Sequence, residues 1–72
     1  MVKVTYTYSF KELSGKPKRF IEKLDGCKVT GYGVLTDTVT LVILFDSPES
    51  FTELDKLLKD KFNLKLKNKI II

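Results

Sequence analysis

The stretch TVTLVILFDSPESF, residues 38–51, passes from a strand pattern directly into a helix start. Every second residue up to Phe45 is large and apolar, which predicts a strand with one buried face. Ser47 offers a side-chain oxygen to cap a helix, Pro48 fits the first helical position, and Glu49 places negative charge at the positive end of the helix dipole. The segment therefore predicts a strand that is followed at once by a helix.

A helix and a final strand are predicted downstream of this segment. Apolar residues recur there at helical spacing: Phe51, Leu54, Leu57, Leu58 and Phe62. Asn63 can adopt the left-handed conformation that ends a helix. Residues 64–72 then alternate lysine with apolar side chains, but strict alternation would turn Asn68 inward, so we expect a bulge or a short turn at that residue.

Residues 27–35 and the strand at residues 38–45 together predict a β-hairpin. If the odd-numbered residues of both segments face the core, directly opposed positions must sum to an even number. This parity disfavours a two-residue loop and predicts a three-residue turn, Thr36–Thr38. It also turns Gly31 and Gly33 toward the first helix, which they would let approach closely, and it places Tyr32 on the opposite face.

Residues 1–26 predict a first strand and a short helix. The inward-facing residues of the strand recur with period two: Val2, Val4, Tyr6, Tyr8 and Phe10. Pro17 is preset for the first turn of a helix, and Gly26 ends that helix because glycine tolerates a left-handed backbone. The next residue, Cys27, is expected to face inward as an inert thiol.

The order strand-helix-strand-strand-helix-strand predicts a single α+β domain over residues 1–72. Its expected architecture is a ferredoxin-like βαββαβ two-layer sandwich, with a four-stranded antiparallel sheet and two helices on one face. The first and third strands would be central, and the fourth would lie beside the first. Because both helices cover one face, the opposite face is open, and function is expected there.

Composition narrows the chemistry that this domain can perform. The chain has no histidine and one cysteine, so it lacks the commonest metal ligand, the usual general base and any intrachain disulfide. No acidic residue in a turn pairs by spacing with a nucleophile or base. We therefore expect a non-enzymatic protein with no catalytic residues, no metal and no cofactor.

The sequence also bears on location and source. No apolar run approaches the roughly 20 residues of a membrane helix, and the N-terminus alternates polar and apolar residues, unlike a secretory signal. We therefore expect a cytoplasmic protein that does not contact membranes. Twelve lysines, with no glutamine and only two asparagines, favour a thermophilic source, although A/T-rich coding also enriches lysine.

Two basic groups suggest nucleic acid as the partner, in keeping with a net charge of +4 and a pI near 9.3. The first group would lie on the open face and bind phosphates, with a tyrosine able to stack on a base: Lys3, Thr5, Tyr32, Lys65, Lys67 and Lys69. The second is a candidate anion site at the start of the first helix: Lys16, Lys18 and Arg19. The structural alternative is that lysines on edge strands merely hinder aggregation.

A protein-interaction module is the alternative function. Its interface would lie on the more apolar half of the open face, with lysines at the rim: Tyr32, Val34, Val42 and Leu44. Such a module would form a homodimer or inhibit a partner protein, as small domains from viruses and mobile elements do. Small regulatory domains that sense amino acids resemble this topology and pair through their sheets or edges, which favours the same alternative.

The arrangement also resembles the RNA-recognition motif. That family has the same topology, and its third strand enters a helix through a segment resembling Phe45–Glu49. The resemblance implies RNA binding by base stacking on aromatic residues of the two central strands. The matching outward positions here carry no aromatic residue: Lys3, Thr5, Thr40 and Val42.

Overall fold

A computed structural model describes residues 1–72 as an α+β fold with one four-stranded antiparallel sheet and three helices. Its elements are β1 (Val2–Ser9), α1 (Phe10–Leu13), α2 (Lys16–Glu22), β2 (Cys27–Leu35), β3 (Thr38–Phe45), α3 (Pro48–Phe62) and β4 (Lys65–Ile71). The strand order is β2-β3-β1-β4, so β1 and β3 are central and β4 lies beside β1, as the sequence predicts. None of the helices is both long enough and apolar enough to span a bilayer.

The pairing of β1 with β3 divides the sheet into a core face and an open face. The two strands pair without interruption from Val2 opposite Phe45 to Ser9 opposite Thr38. Directly opposed residues project from the same side of a sheet, so the odd-numbered residues of β3 meet the even-numbered residues of β1. Tyr6 and Leu41 form one such pair, and both are fully buried under the helices.

Helix α3 has the ends that the sequence predicts. The backbone N–H of Ser50 donates to Oγ of Ser47, and Asn63 ends the helix with φ of 54°. Inside the helix, Phe51 packs edge-on against Phe45 with 5.4 Å between ring centroids. This contact and the fully buried Leu58 fix α3 on the core face.

The first crossover contains two short helices, where the sequence predicts one. Strand β1 stops at Ser9, and Phe10 begins α1 as an exposed residue, so the expectation that Phe10 faces the core is wrong. Ser14, with φ of 53°, separates α1 from α2, and its carbonyl accepts a 2.6 Å hydrogen bond from the hydroxyl of Tyr8. Pro17 lies in the first turn of α2, as predicted, and is buried.

Asp37, at the tip of the β2–β3 hairpin, explains why the chain turns into a helix after Ser9. Its carboxylate accepts from the Ser9 hydroxyl at 2.5 Å and from the Lys11 backbone N–H at 3.0 Å. Its carbonyl accepts from the Phe10 N–H at 2.8 Å. The hairpin tip therefore supplies a cap to α1, and the Ser9 hydrogen bond lowers the pKa of Asp37, assisted by the Lys11 N–H and charge.

The hairpin turn has two residues, so the three-residue turn is a wrong prediction. Thr36 takes φ of 58°, and Leu35 lies opposite Thr38. The parity argument that disfavours this turn fails because β2 contains a bulge, where the register shifts between Val29 and Gly31.

The two strand glycines consequently face the open side and do not admit a helix. Gly31 lies opposite Val42, and Gly33 lies opposite Thr40. A Cβ on Gly31 would approach Cγ2 of Val42 to 3.2 Å, whereas a Cβ on Gly33 would meet nothing within 4 Å. The close approach that does occur at Gly31 is therefore to a side chain of β3.

Replacing Tyr6 with Phe tests the hydrogen bond that ties the sheet to α3. The Tyr6 hydroxyl donates to Oδ1 of Asp55 at 2.6 Å, while Lys59 pairs with the other carboxylate oxygen at 3.2 Å. Because the tyrosine bond is partly buried and reaches a charged acceptor, Tyr6→Phe should lower the free energy of unfolding by about 1–3 kcal/mol in urea titrations. Lys59→Gln, on the exposed side, should change it by less than about 1 kcal/mol. Equal effects of the two changes would contradict this assignment.

The Asp37 cap predicts a pH-dependent contribution to stability. Since folding lowers the pKa of Asp37, its contribution is full above the unfolded value of about 3.9 and is lost as the pH falls through the folded value. The melting temperature of Asp37→Asn should therefore lie below that of the wild type at pH 5–7, and the gap should narrow below about pH 4. Asp60→Asn removes an exposed carboxylate without hydrogen bonds and serves as the control. A gap that stays constant down to pH 2.5 would show that the carboxylate charge is not involved.

Candidate functional site

The face that no helix covers consists of rows of directly opposed residues from all four strands. Read from β4 to β2, three successive rows are Ile70, Lys3, Leu44 and Lys28; Asn68, Thr5, Val42 and Gly31; and Lys65, Thr7, Thr40 and Gly33. Lysines lie in the first and third rows, and threonines lie on the central strands in the second and third rows. The open face thus combines three separated positive charges with hydroxyl groups on its two central strands.

Six of the residues that the sequence places on the open face are found there: Lys3, Thr5, Thr40, Val42, Leu44 and Lys65. Lys28 joins them because it lies opposite Leu44, in the same row as Lys3. The sequence analysis did not select Lys28, although its position between Cys27 and Val29, both packed against the core, marks it as outward.

Tyr32 and Val34 project from the helix side, so their expected place on the open face is wrong. They pair with Leu41 and Val39, two core residues, because the β2 bulge inserts one residue and inverts the alternation. Nζ of Lys18, on α2, lies 5.7 Å from the centroid of the Tyr32 ring. The proposed interface is therefore split between two faces, and Tyr32 cannot stack on a base bound to the open one.

The lysines of β4 also divide between the faces. A bulge is present at Lys67, one residue before its predicted position, since Leu66 lies opposite Tyr6 whereas Asn68 lies opposite Thr5. Beyond it the alternation is inverted, and Lys69 turns to the helix side, with Nζ 4.6 Å from the Phe51 ring centroid. Lys67 lies in the bulge and has no direct partner on β1. The expected strip of three β4 lysines is thus reduced to Lys65 on the open face.

The candidate anion site loses one of its three cations to contacts within the protein. Nζ of Lys18 bonds to Glu22 at 3.2 Å and lies near the Tyr32 ring. Lys16 and Arg19 remain exposed on α2, a helix of seven residues with no side-chain cap. These residues do not form a built anion pocket.

Charge is segregated between the strands and the rest of the chain. The four strands carry five lysines and no carboxylate, and all nine acidic residues lie in helices and turns. Each of the two salt bridges joins residues within one helix: Lys18 to Glu22 in α2, and Lys59 to Asp55 in α3. The lysines of the open face are therefore not neutralised by a neighbouring carboxylate.

None of the titratable groups with perturbed pKa values is an activated nucleophile. Burial, followed by the Asp46 charge, raises the pKa of the half-buried Cys27 thiol. Burial also raises the pKa of Tyr6 and of Tyr8, so neither phenol ionises more readily than an ordinary tyrosine. The hydroxyls of both tyrosines act as hydrogen-bond donors, to Asp55 and to the Ser14 carbonyl.

The outward positions of the central strands are those at which the RNA-recognition motif stacks bases on aromatic residues. In this chain the outward positions of β1 and β3 carry lysine, threonine, valine and leucine, so stacking on aromatic rings of the central strands does not occur. What this face offers a ligand is charge and hydroxyl groups. Comparisons with protein-family models, curated proteins and solved structures gave no match.

Proposed function

We propose that this chain is a non-enzymatic protein that binds nucleic acid through phosphate contacts on the open face of its sheet. We also propose that its fold is a ferredoxin-like variant in which the first helix is broken at Ser14. The observation that carries the functional proposal is the charge segregation described above. A sheet with lysines and no carboxylates presents a positive surface to a polyanion, and the release of counterions from phosphates then favours binding.

Lys3 is the residue that separates this proposal from the structural alternative. Lysines on edge strands hinder pairing with other chains, which suffices to explain Lys28 on β2 and Lys65 on β4. Strand β1 is central and pairs on both sides, so Lys3 protects no edge. Its neighbours across the sheet are the apolar residues Leu44 and Ile70. A ligand with negative charge gives Lys3 a role that edge protection does not.

The spacing of the three lysines suits contacts with several phosphates. Lys28 lies two strands from Lys3, which corresponds to about 10 Å between Cα atoms. Lys65 lies one strand from Lys3 and four residues along it, which corresponds to about 14 Å. The side chains therefore reach phosphates that are separated along or across a nucleic-acid backbone, and they confer no sequence preference by themselves.

A pair of charge-matched triple variants tests the proposal. Lys3→Gln, Lys28→Gln and Lys65→Gln together should weaken nucleic-acid binding at least about tenfold and reduce the salt slope of log K by up to about 2.7, since three phosphate contacts are lost. Fluorescence anisotropy titrations at several salt concentrations measure both quantities.

The control variant combines Lys16→Gln, Lys23→Gln and Lys56→Gln, which remove the same charge from exposed positions on the helix side. This variant should retain most of the wild-type affinity. If the two triple variants lose affinity equally, binding follows net charge rather than the open face, and the proposal fails.

A protein-interaction function remains a second candidate because β4 is exposed along its whole length. Leu66 and Ile71 project from the helix side, yet they are 39% and 67% exposed. Strand β4 is also an edge with one side unpaired, so a second copy of the chain can add to it. The apolar contacts would favour such a homodimer, while the lysines at 65, 67 and 69 would oppose it.

This balance predicts a homodimer that becomes more stable as salt concentration rises. Salt screens repulsion between the lysines but leaves the apolar contacts intact, whereas phosphate binding weakens under the same conditions. Sedimentation equilibrium should show the mass rising from 8.3 kDa toward twice that value. Ile71→Lys should keep the chain monomeric, and Leu35→Lys, at the distant hairpin, should not. A monomer at every salt concentration would exclude the homodimer.

A further inference from the structure

We infer that the nucleic acid bound by the open face is an A-form duplex, the geometry of double-stranded RNA, an inference that rests on the proposed function. The chain has eight aromatic rings. Seven of them belong to the core, its border or the helix side: Tyr6, Tyr8, Phe20, Tyr32, Phe45, Phe51 and Phe62. The eighth, Phe10, begins α1.

The open face therefore lacks the groups that hold single strands. Proteins that bind single-stranded nucleic acid stack its bases on aromatic rings or on arginine, in addition to binding its phosphates. The only arginine, Arg19, lies on α2 in the helix layer. Without stacking, the lysines gain more from a duplex, because its charge density is higher and more counterions are released per phosphate contact.

The centre of the open face offers hydrogen bonds instead. Thr30 and Thr52 use their hydroxyls on carbonyl groups of the protein. The hydroxyls of Thr5, Thr7 and Thr40 have no such partner; Thr5 lies in the second row, between the lysines of the first and third rows, and Thr7 and Thr40 lie beside Lys65 in the third row. They are free to donate to, or accept from, a ligand.

An A-form duplex matches this arrangement of hydroxyls flanked by lysines. Its minor groove is wide and shallow and displays 2′-hydroxyl groups between two phosphate backbones. An uncovered sheet face can lie across that groove, with Thr7 and Thr40 near the 2′-hydroxyls and Lys3 and Lys65 toward the phosphates. The minor groove of B-form DNA is only about 6 Å wide unless the duplex is deformed, and it has no 2′-hydroxyl groups.

The test compares four ligands of one 20-nucleotide sequence: single-stranded and double-stranded RNA, and single-stranded and double-stranded DNA. Anisotropy titrations of the full chain should give the highest affinity for double-stranded RNA, exceeding that for either single strand by about tenfold. Equal or tighter binding of single strands would overturn the inference while leaving the proposed function standing. Equal or tighter binding of double-stranded DNA would overturn the assignment of A-form geometry. Failure to bind any of the four ligands at 50 mM salt would overturn both.

A second measurement isolates the hydroxyl groups. Thr7→Val and Thr40→Val together preserve the branched side-chain shape, so the sheet should remain folded, which circular dichroism checks. Affinity for double-stranded RNA should fall about fivefold to thirtyfold, as expected for two lost hydrogen bonds, while affinity for double-stranded DNA should change by less than about twofold. Thr52→Val, on α3, is the control and should leave both affinities unchanged. An equal loss for the two duplexes would contradict recognition of the 2′-hydroxyl groups.

Discussion

The uninterrupted ladder between β1 and β3 is the constraint on which the rest of the structure depends. Eight residue pairs, from Val2–Phe45 to Ser9–Thr38, put every core residue of the two strands on one side and every outward residue on the other. A slip of one residue would exchange the faces and place Lys3 in the core, so the buried face holds the register firmly. The register that buries the core therefore also determines which residues form the open face.

The two edge strands depart from strict alternation, and the residues beyond their bulges contact the helices. Each edge strand changes face part of the way along its length, at Thr30 in β2 and at Lys67 in β4. Beyond the bulges, Tyr32 lies under Lys18 of α2, and Lys69 lies over the ring of Phe51. The bulges thus bring long side chains to the periphery of the core, and they also distort edges that would otherwise pair with other chains.

The sequence predicted the features that depend on neighbouring residues and missed those that depend on distant ones. The strand pattern, the Ser47 cap and the Asn63 helix end are local, and the structure confirms them. Helix α1 was missed because its cap comes from Asp37, across the hairpin. The β2 bulge was missed because Gly31 and Gly33 have no side chains, so either face suits them and the alternation carries no information at those residues. Every misplaced site residue on these strands follows from a bulge: Tyr32, Val34, Lys67 and Lys69.

The lysine on a central strand is harder to explain by stability than the lysines on the edge strands. Threonine forms strands well, so Thr5, Thr7 and Thr40 alone would indicate no ligand. Charged residues on edge strands, especially lysine, hinder pairing with other chains, so Lys28 and Lys65 alone would indicate none either. The strands nevertheless carry five lysines and none of the nine carboxylates, and one of those lysines, Lys3, lies on a central strand. Edge protection requires no charge in the centre of the sheet, whereas binding to phosphates gives Lys3 a role there.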